Sequence, residues 1–297
     1  MRSIRLGTAV LLFCVTIPQI ATAQDEPPPN IAGTPPKMLV LVHREFQPSK
    51  SSERHRLEVA ISRACNHLDV PNSWIDLESI TGPPEALSFD PFDSFEQLDT
   101  AFAEWGRIFA THPEIARLQE ELKALVSRES TNVAVRRDDL GYLPQSIDLS
   151  KTRFMRVLEV RLHPGHESEF VEASRILAGA YEKIKADTPW VVYQVNVGMP
   201  SPAFLVFLPM RALKQNDDLL NWRRSVREAE GEETARRTEE IAQAAYASTE
   251  SNLYLISPET SHVSREFAEG DPGFWSPKPP AASRSTPPNR TQDKPKP

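Results

Sequence analysis

The sequence predicts an α+β chain built from two tandem βαββαβ units. Two observations predict it. Trp74 to Gly82 (WIDLESITG) recurs as Trp190 to Gly198 (WVVYQVNVG), 116 positions on, while Trp105 matches Trp222 and Asn132 matches Asn252 at only slightly larger shifts. A fixed internal shift that grows slowly is what small loop insertions leave in a repeat. The order of apolar periodicities is also the same in both halves, alternating between strand and helix spacing.

Each unit opens with a strand, Met38 to Phe46 in the first, rich in Leu and Val. A helix over 53–68 follows, with Leu57, Ala60, Ile61, Ala64, Cys65 and Leu68 in one stripe. Its counterpart over 167–184 repeats the stripe with Phe170, Ala173, Leu177, Ala180, Tyr181 and Ile184, the spacing of a helix with one buried face. The second strands, 74–81 and 190–197, end in breaker-rich GPP and GMPSP turns that suit a hairpin. Short third strands follow at 86–89 and 203–208. In the first unit Ser94 with Gln97 three residues on reads as a capping box. The helix it starts carries Phe95, Leu98, Phe102, Trp105 and Phe109 on one face, and Pro113 restarts it where a first-turn proline is tolerated. In the second unit Leu219, Trp222 and Val226 precede a charged helix over 232–248. Final strands are expected at 132–136 and 252–256.

The ends are of another kind. Arg2 and Arg5, an apolar run from Ala9 to Ile20 and Ala21-Thr22-Ala23 make a signal peptide cleaved after Ala23, over residues 1–23. The run is too short to span a bilayer. A proline-rich linker over 24–36 follows, then the first unit over 37–137, a connector over 138–151 and the second unit over 152–263. Residues 264–297 form a basic, proline-rich tail with too little apolar surface to offset the entropy of ordering. Phe274 and Trp275 are its exception, expected to pack back on the body. Cleavage removes Cys14 and leaves Cys65 alone in a helical stripe, so no internal disulfide is expected. With 41 acidic against 34 basic residues the body is acidic, which argues against a nucleic-acid surface. The address implied is secreted or periplasmic.

The βαββαβ order is the ferredoxin-like split motif. On that order and the repeat, residues 37–263 resemble the dimeric α+β barrel superfamily, which includes antibiotic-biosynthesis-type monooxygenases, NIPSNAP-like proteins and the chlorite dismutase group. The resemblance implies that the two antiparallel sheets face each other and close a barrel, here within one chain. Haem-binding members take an axial histidine from a helix in the second half of a unit. That helix holds no histidine in the second unit and only His112, beside Pro113, in the first. No cofactor is expected.

Strand alternation offers the candidate site. One set on the first strands holds Leu39, Leu41, His43 and Glu45, matched by Met155, Val157, Glu159 and Arg161; on the second strands Trp74, Asp76 and Glu78 match Trp190, Val192 and Gln194. If all point inward, the lumen is polar, either as a salt-bridged interface or as a small-molecule pocket. In the pocket reading His43 is the catalytic candidate near neutral pH, oriented by Asp76 or Glu159. Glu45, Trp74, Glu78, Arg161, Trp190 and Gln194 line it. His163-Pro-Gly-His166 has metal-like spacing but lacks a third ligand, so it reads as the start of a helix and no metal is expected. No nucleophile elbow, phosphate loop or cysteine cluster occurs. The leading functional expectation is a non-catalytic small-molecule-binding or structural module, for an apolar or amphipathic ligand. The alternative is a cofactor-free, oxygenase-like enzyme around His43. A third is partner or cell-envelope contact through the tail.

Overall fold

The computed structural model describes residues 33–276, apart from the side chains of residues 222 and 223. The signal peptide, most of the linker, the Trp222 side chain and the tail from residue 277 lie outside them. The first unit runs β1 (Met38–Phe46), α1 (Ser51–His67), β2 (Trp74–Ser79), β3 (Glu85–Phe92), α2 (Phe95–Thr111), α3 (Pro113–Lys123) and β4 (Val126–Arg136). The second runs β5 (Phe154–Leu162), α4 (Glu167–Lys183), β6 (Val191–Val197), β7 (Ala203–Met210), α5 (Gln215–Glu230), α6 (Glu232–Ala245) and β8 (Tyr246–His262). The eight strands close one antiparallel barrel in the order β1-β3-β2-β8-β5-β7-β6-β4. Each sheet therefore has the order β4-β1-β3-β2 or its equivalent, and the seams between sheets are β2–β8 and β4–β6. Closure leaves no sheet edge unpaired.

Strand register makes the halves comparable position by position. Met38 pairs with Phe92 and Val135, and Phe154 with Met210 and Leu255. Residues matched by sequence meet at the seams. Gly198 ends β6 against Asn132 of β4, and Gly82 follows β2 against Asn252 of β8. Both glycines have positive φ (+103° and +80°), and a Cβ on either would lie 2.7 Å from the facing Asn Oδ1.

The lumen is filled by Leu39, Leu41, Ile75, Leu77, Leu87, Val157, Tyr193, Leu205, Phe207 and Tyr254, all buried. At one end two further short helices, α7 (Arg265–Glu269) and α8 (Pro272–Trp275), insert Phe267 and Trp275 into that core. Trp275 Nε1 donates to Ser150 O at 2.7 Å, Arg153 pairs with Asp271, and the Arg153 guanidinium lies 3.8 Å from the Phe274 ring centroid. The folded body thus extends past residue 263, because these two aromatics supply apolar surface that the rest of the tail lacks.

β4 and β8 are longer than apolar alternation indicates. Their extra residues, such as Ser127–Ser130 and Ser248–Glu250, are polar and pair with the ends of β1 and β5, where the barrel opens to solvent. There a strand carries no hydrophobic signature.

Candidate functional site

The first strands face as expected. His43, Glu45, Glu159 and Arg161 belong to the inward set of β1 and β5, at the end opposite α7 and α8. The second strands face the other way. Ile75, Leu77, Val191, Tyr193 and Val195 fill the lumen, so Trp74, Asp76, Glu78, Trp190 and Gln194 lie on the outer face, toward the helices. The expected polar lumen is thereby corrected to an apolar lumen with one polar mouth. Both faces of these strands are covered, so alternation alone does not say which is interior.

At the mouth His43 Nε2 lies 2.5 Å from Glu85 Oε2, and the Tyr254 hydroxyl donates to the other carboxylate oxygen. Burial alone would raise Glu85, but the hydrogen bonds from His43 and Tyr254 hold it below its ordinary range. His43 is raised, chiefly by its hydrogen bond to Glu85. The pair is therefore a hydrogen-bonded histidine–carboxylate bridge that favours the imidazolium form, and Tyr254 ties it to the second unit across the β2–β8 seam. Glu159 is raised by burial and by Glu250. Glu45 meets Arg128 at 3.5 Å. The geometry gives His43 a structural partner, and it separates His43 from Asp76, which stands on the other side of the sheet.

Asp76 belongs to a different place. Beneath α1, α2 and α3, on the outer face of the first sheet, lies a cleft of about 430 Å³. Its floor carries Arg44, Asp76, Ser88 and Asp90, and its walls Glu58, Trp74, Trp105, Phe102 and Phe109. The strands place the floor directly: Asp76 pairs with Ser88 across β2 and β3, and Asp90 is the next residue of β3 on that face. Ser88 Oγ donates to Asp76. The Asp90 carboxylate accepts no hydrogen bond and makes no ion pair among the described residues. Arg44 Nε donates to Glu129 at 2.7 Å. On α1, Arg54 lies 3.0 Å from Glu58 and 3.4 Å from Glu78.

Burial pushes Glu58 up to about 8, with the negative charge of Asp76 adding to it. It pushes Asp90 up to about 7, again helped by Asp76. Asp76 is itself raised by burial, against the pull of Ser88 and Arg44. These carboxyls are shielded by protein yet open to the cleft, so each holds a proton at a pH where a solvated carboxyl would not.

Two further features belong to this cleft. Asn72 borders it, 5% exposed, with neither amide atom hydrogen-bonded. The aromatic face of α2, expected from its period to be core, has little beneath it: Phe102 is 68% and Phe109 38% exposed. Asn72, Asp90 and the buried Arg54–Glu58 pair were not candidates from sequence. Their one legible signal is that Arg54 and Glu58 flank Leu57 on the apolar side of α1.

The second unit has the equivalent cleft, of about 290 Å³, beneath α4 to α6. Register places Val160, Val192, Val206 and Leu208 where the first unit has Arg44, Asp76, Ser88 and Asp90. Ser174 replaces Glu58, and the stacked pair Phe170–Phe204, centroids 4.1 Å apart, replaces Arg54 and Ala86. Trp190 is buried there, 4.7 Å from Tyr181. Gln194 accepts from Arg137 at 2.8 Å, outside that cleft.

His55, Glu58 and Glu78 bring ligand atoms within 4.8 Å of one another. Arg54 contacts both carboxylates, so the cluster is an ion-pair network with its cation already in place. His166 stands at the N-cap position of α4, without a side-chain capping hydrogen bond, and pairs with Glu169 at 3.2 Å. Cys65 is buried and its thiol is pushed up to about 12, which makes it inert.

No protein-family model and no curated protein sequence matches the chain. Solved structures do. An anthrone oxidase-like protein superposes with a TM-score of 0.50 at 13% identity, over 76% of this chain and 94% of its own. A heme-binding protein from Thermus thermophilus gives 0.42 at 12%, over 78% and 95%. A chlorite dismutase variant from Candidatus Nitrospira defluvii gives 0.44 at 8%, over 80% and 96%. At such identities the likeness is one of fold. The chain has the dimeric α+β barrel fold, with two ferredoxin-like units closing the barrel intramolecularly.

Proposed function

We propose that this is an exported small-molecule-binding protein whose ligand occupies the first unit's helix–sheet cleft. One observation carries the reading: Asn72, buried and without a hydrogen bond, borders an open aromatic cleft. A buried amide left unpaired costs about 1–3 kcal/mol, which a bound molecule's polar group offsets. The exposed rings of Phe102 and Phe109 supply apolar surface for its body, the usual division of labour in such pockets. Catalysis at His43 draws less support, because Glu85 already engages the imidazole. No helix of the described residues is long and apolar enough to cross a membrane, and export rests on the leader sequence alone.

The test is a fragment screen by saturation-transfer NMR on the wild type and two cleft-filling variants. Ala116→Trp occupies the first cleft and Ser174→Trp the second. Fragment signals should vanish in Ala116→Trp and persist in Ser174→Trp. Signals that survive Ala116→Trp place binding elsewhere and overturn the reading.

A further inference from the structure

We propose that the first cleft selects an organic cation, a primary or secondary amine on an apolar, ring-bearing body. This rests on the binding reading above and names its ligand class.

Charge is the first argument. Asp76, Asp90 and Glu58 face one cleft, and the nearby cations are engaged elsewhere. Arg44 is held by Glu129 at 2.7 Å, and Arg54 lies between Glu58 and Glu78. On the rim, Lys123 pairs with Glu120 at 2.8 Å. His55 sits between Glu78 and Glu259 at 3.3 and 3.2 Å. Among the described residues no cation forms an ion pair with Asp90, which feels Arg44 only through space; Asp76 is better provided, with the side chains of Ser88, Thr260 and Trp74 as hydrogen-bonding neighbours and Arg44 nearby. Buried carboxylates need a partner; without one they keep their protons, as Asp90 does near neutrality. An ammonium group is the missing partner, and its arrival releases that proton.

Asn72 is the second argument. Its Oδ1, unpaired and buried, accepts from an ammonium N–H, while its Nδ2 is left for a ligand oxygen. The walls are the third. Trp74 and Trp105, with centroids 6.2 Å apart, and Phe109, 5.4 Å from Trp105, line it with aromatic rings, and cations favour an aromatic surround. The second cleft is the internal control. It builds the same helix–sheet layer with Val192 and Leu208 in place of Asp76 and Asp90, so the acids are not needed to assemble that layer.

The experiment is calorimetry on the full chain with 2-phenylethylammonium and its neutral counterpart 2-phenylethanol. Near pH 8 the ammonium should bind about tenfold more tightly, a difference of about 1.4 kcal/mol. Near pH 5.5 that preference should largely disappear, and at pH 7 binding should release protons to the buffer. Asp90→Asn should weaken the ammonium about tenfold and leave the alcohol unchanged. If that variant fails to fold, the pH series and proton release on the wild type decide. Equal binding of both probes, lost in Ala116→Trp, overturns the cation and leaves the small-molecule reading standing. Binding of neither, or binding that ignores Ala116→Trp, overturns both. A preference for the ammonium with no pH dependence and no proton release overturns the assignment to these acids.

Discussion

The two clefts of this barrel share one architecture and differ in what fills it. In the second unit Val160, Val192, Val206 and Leu208 cover the outer sheet face, and Phe170 stacks on Phe204 with centroids 4.1 Å apart. That layer is an ordinary core. In the first unit the same positions hold Arg44, Asp76, Ser88 and Asp90, with Arg54 and Ala86 where the stacked phenylalanines would be. Its cleft is larger, about 430 against 290 Å³, and burial raises its acids above the ordinary carboxyl range. A layer that packs well in one half and carries strained acid–base equilibria in the other teaches that the first half gives up stability locally. Such sacrifices cluster where a protein does its work.

The strongest way to break the comparison is to move the acid. Val192 is 1% exposed. Val192→Asp puts a carboxyl there without the Ser88 and Arg44 equivalents, since Val206 and Val160 stand in their places. The expected loss is about 3–5 kcal/mol in urea denaturation, the cost of an uncompensated buried charge. Adding Val206→Ser should recover about 1 kcal/mol through the hydrogen bond that Asp76 enjoys. A loss under about 1 kcal/mol would show that this layer tolerates acids anywhere, and the first cleft would lose its distinction.

The fold was legible in the sequence because the repeat and the element order are both coarse signals. Leu57 to Cys65 and Phe170 to Tyr181 show helical stripes, and matched tryptophans and glycines fix the shift. Orientation of the first strands was legible too, since Leu39 and Leu41 lead to the polar mouth at His43. The second strands misled. Ile75 and Leu77 fill the lumen, but Trp74 and Asp76 are also covered, by helices, and a strand covered on both faces has no solvent side to mark. Assigning Asp76 and Glu78 to the lumen joined them to His43, when they share no compartment with it. The cleft itself was hidden for a second reason. Phe102 and Phe109 have the spacing of a core face, and spacing does not say whether anything lies beneath. Asn72 carries no signal of any kind, for it stands just outside a strand.

The seams offer a subtler contrast between halves. A Cβ at Gly198 would lie 2.2 Å from Thr131 O and 2.8 Å from Asn132 Cα, both backbone atoms. At Gly82 it would meet only the Asn252 amide, 2.7 to 3.1 Å away, which can swing aside. Positive φ penalises both substitutions by about 1–2 kcal/mol. Gly198→Ala should therefore cost about 2–3 kcal/mol and Gly82→Ala about 1 kcal/mol. Thermal and urea unfolding of the two variants checks the ranking. Equal losses would mean that the seams relax alike and that the asymmetry is confined to the clefts.

The pH dependence of stability is the most informative about the acids. Asp90 titrates near 7 in the folded protein, against an ordinary aspartate value near 4 in the unfolded chain. The folded state holds the proton more tightly, so the stabilisation from this group is full below pH 4 and is lost as pH rises through 7. Asp90→Asn keeps the shape and removes the titration. Without ligand, the variant should match the wild type within about 0.5 kcal/mol near pH 4 and exceed it by about 4 kcal/mol near pH 9. Adding 2-phenylethylammonium near pH 8 should narrow that gap by up to about 1.4 kcal/mol, because the cation binds the wild type about tenfold more tightly than the variant. An Asp90→Asn difference that is the same at both pH values would show that Asp90 ionises freely. The acids of the first cleft would then be as bland as the valines and leucine of the second.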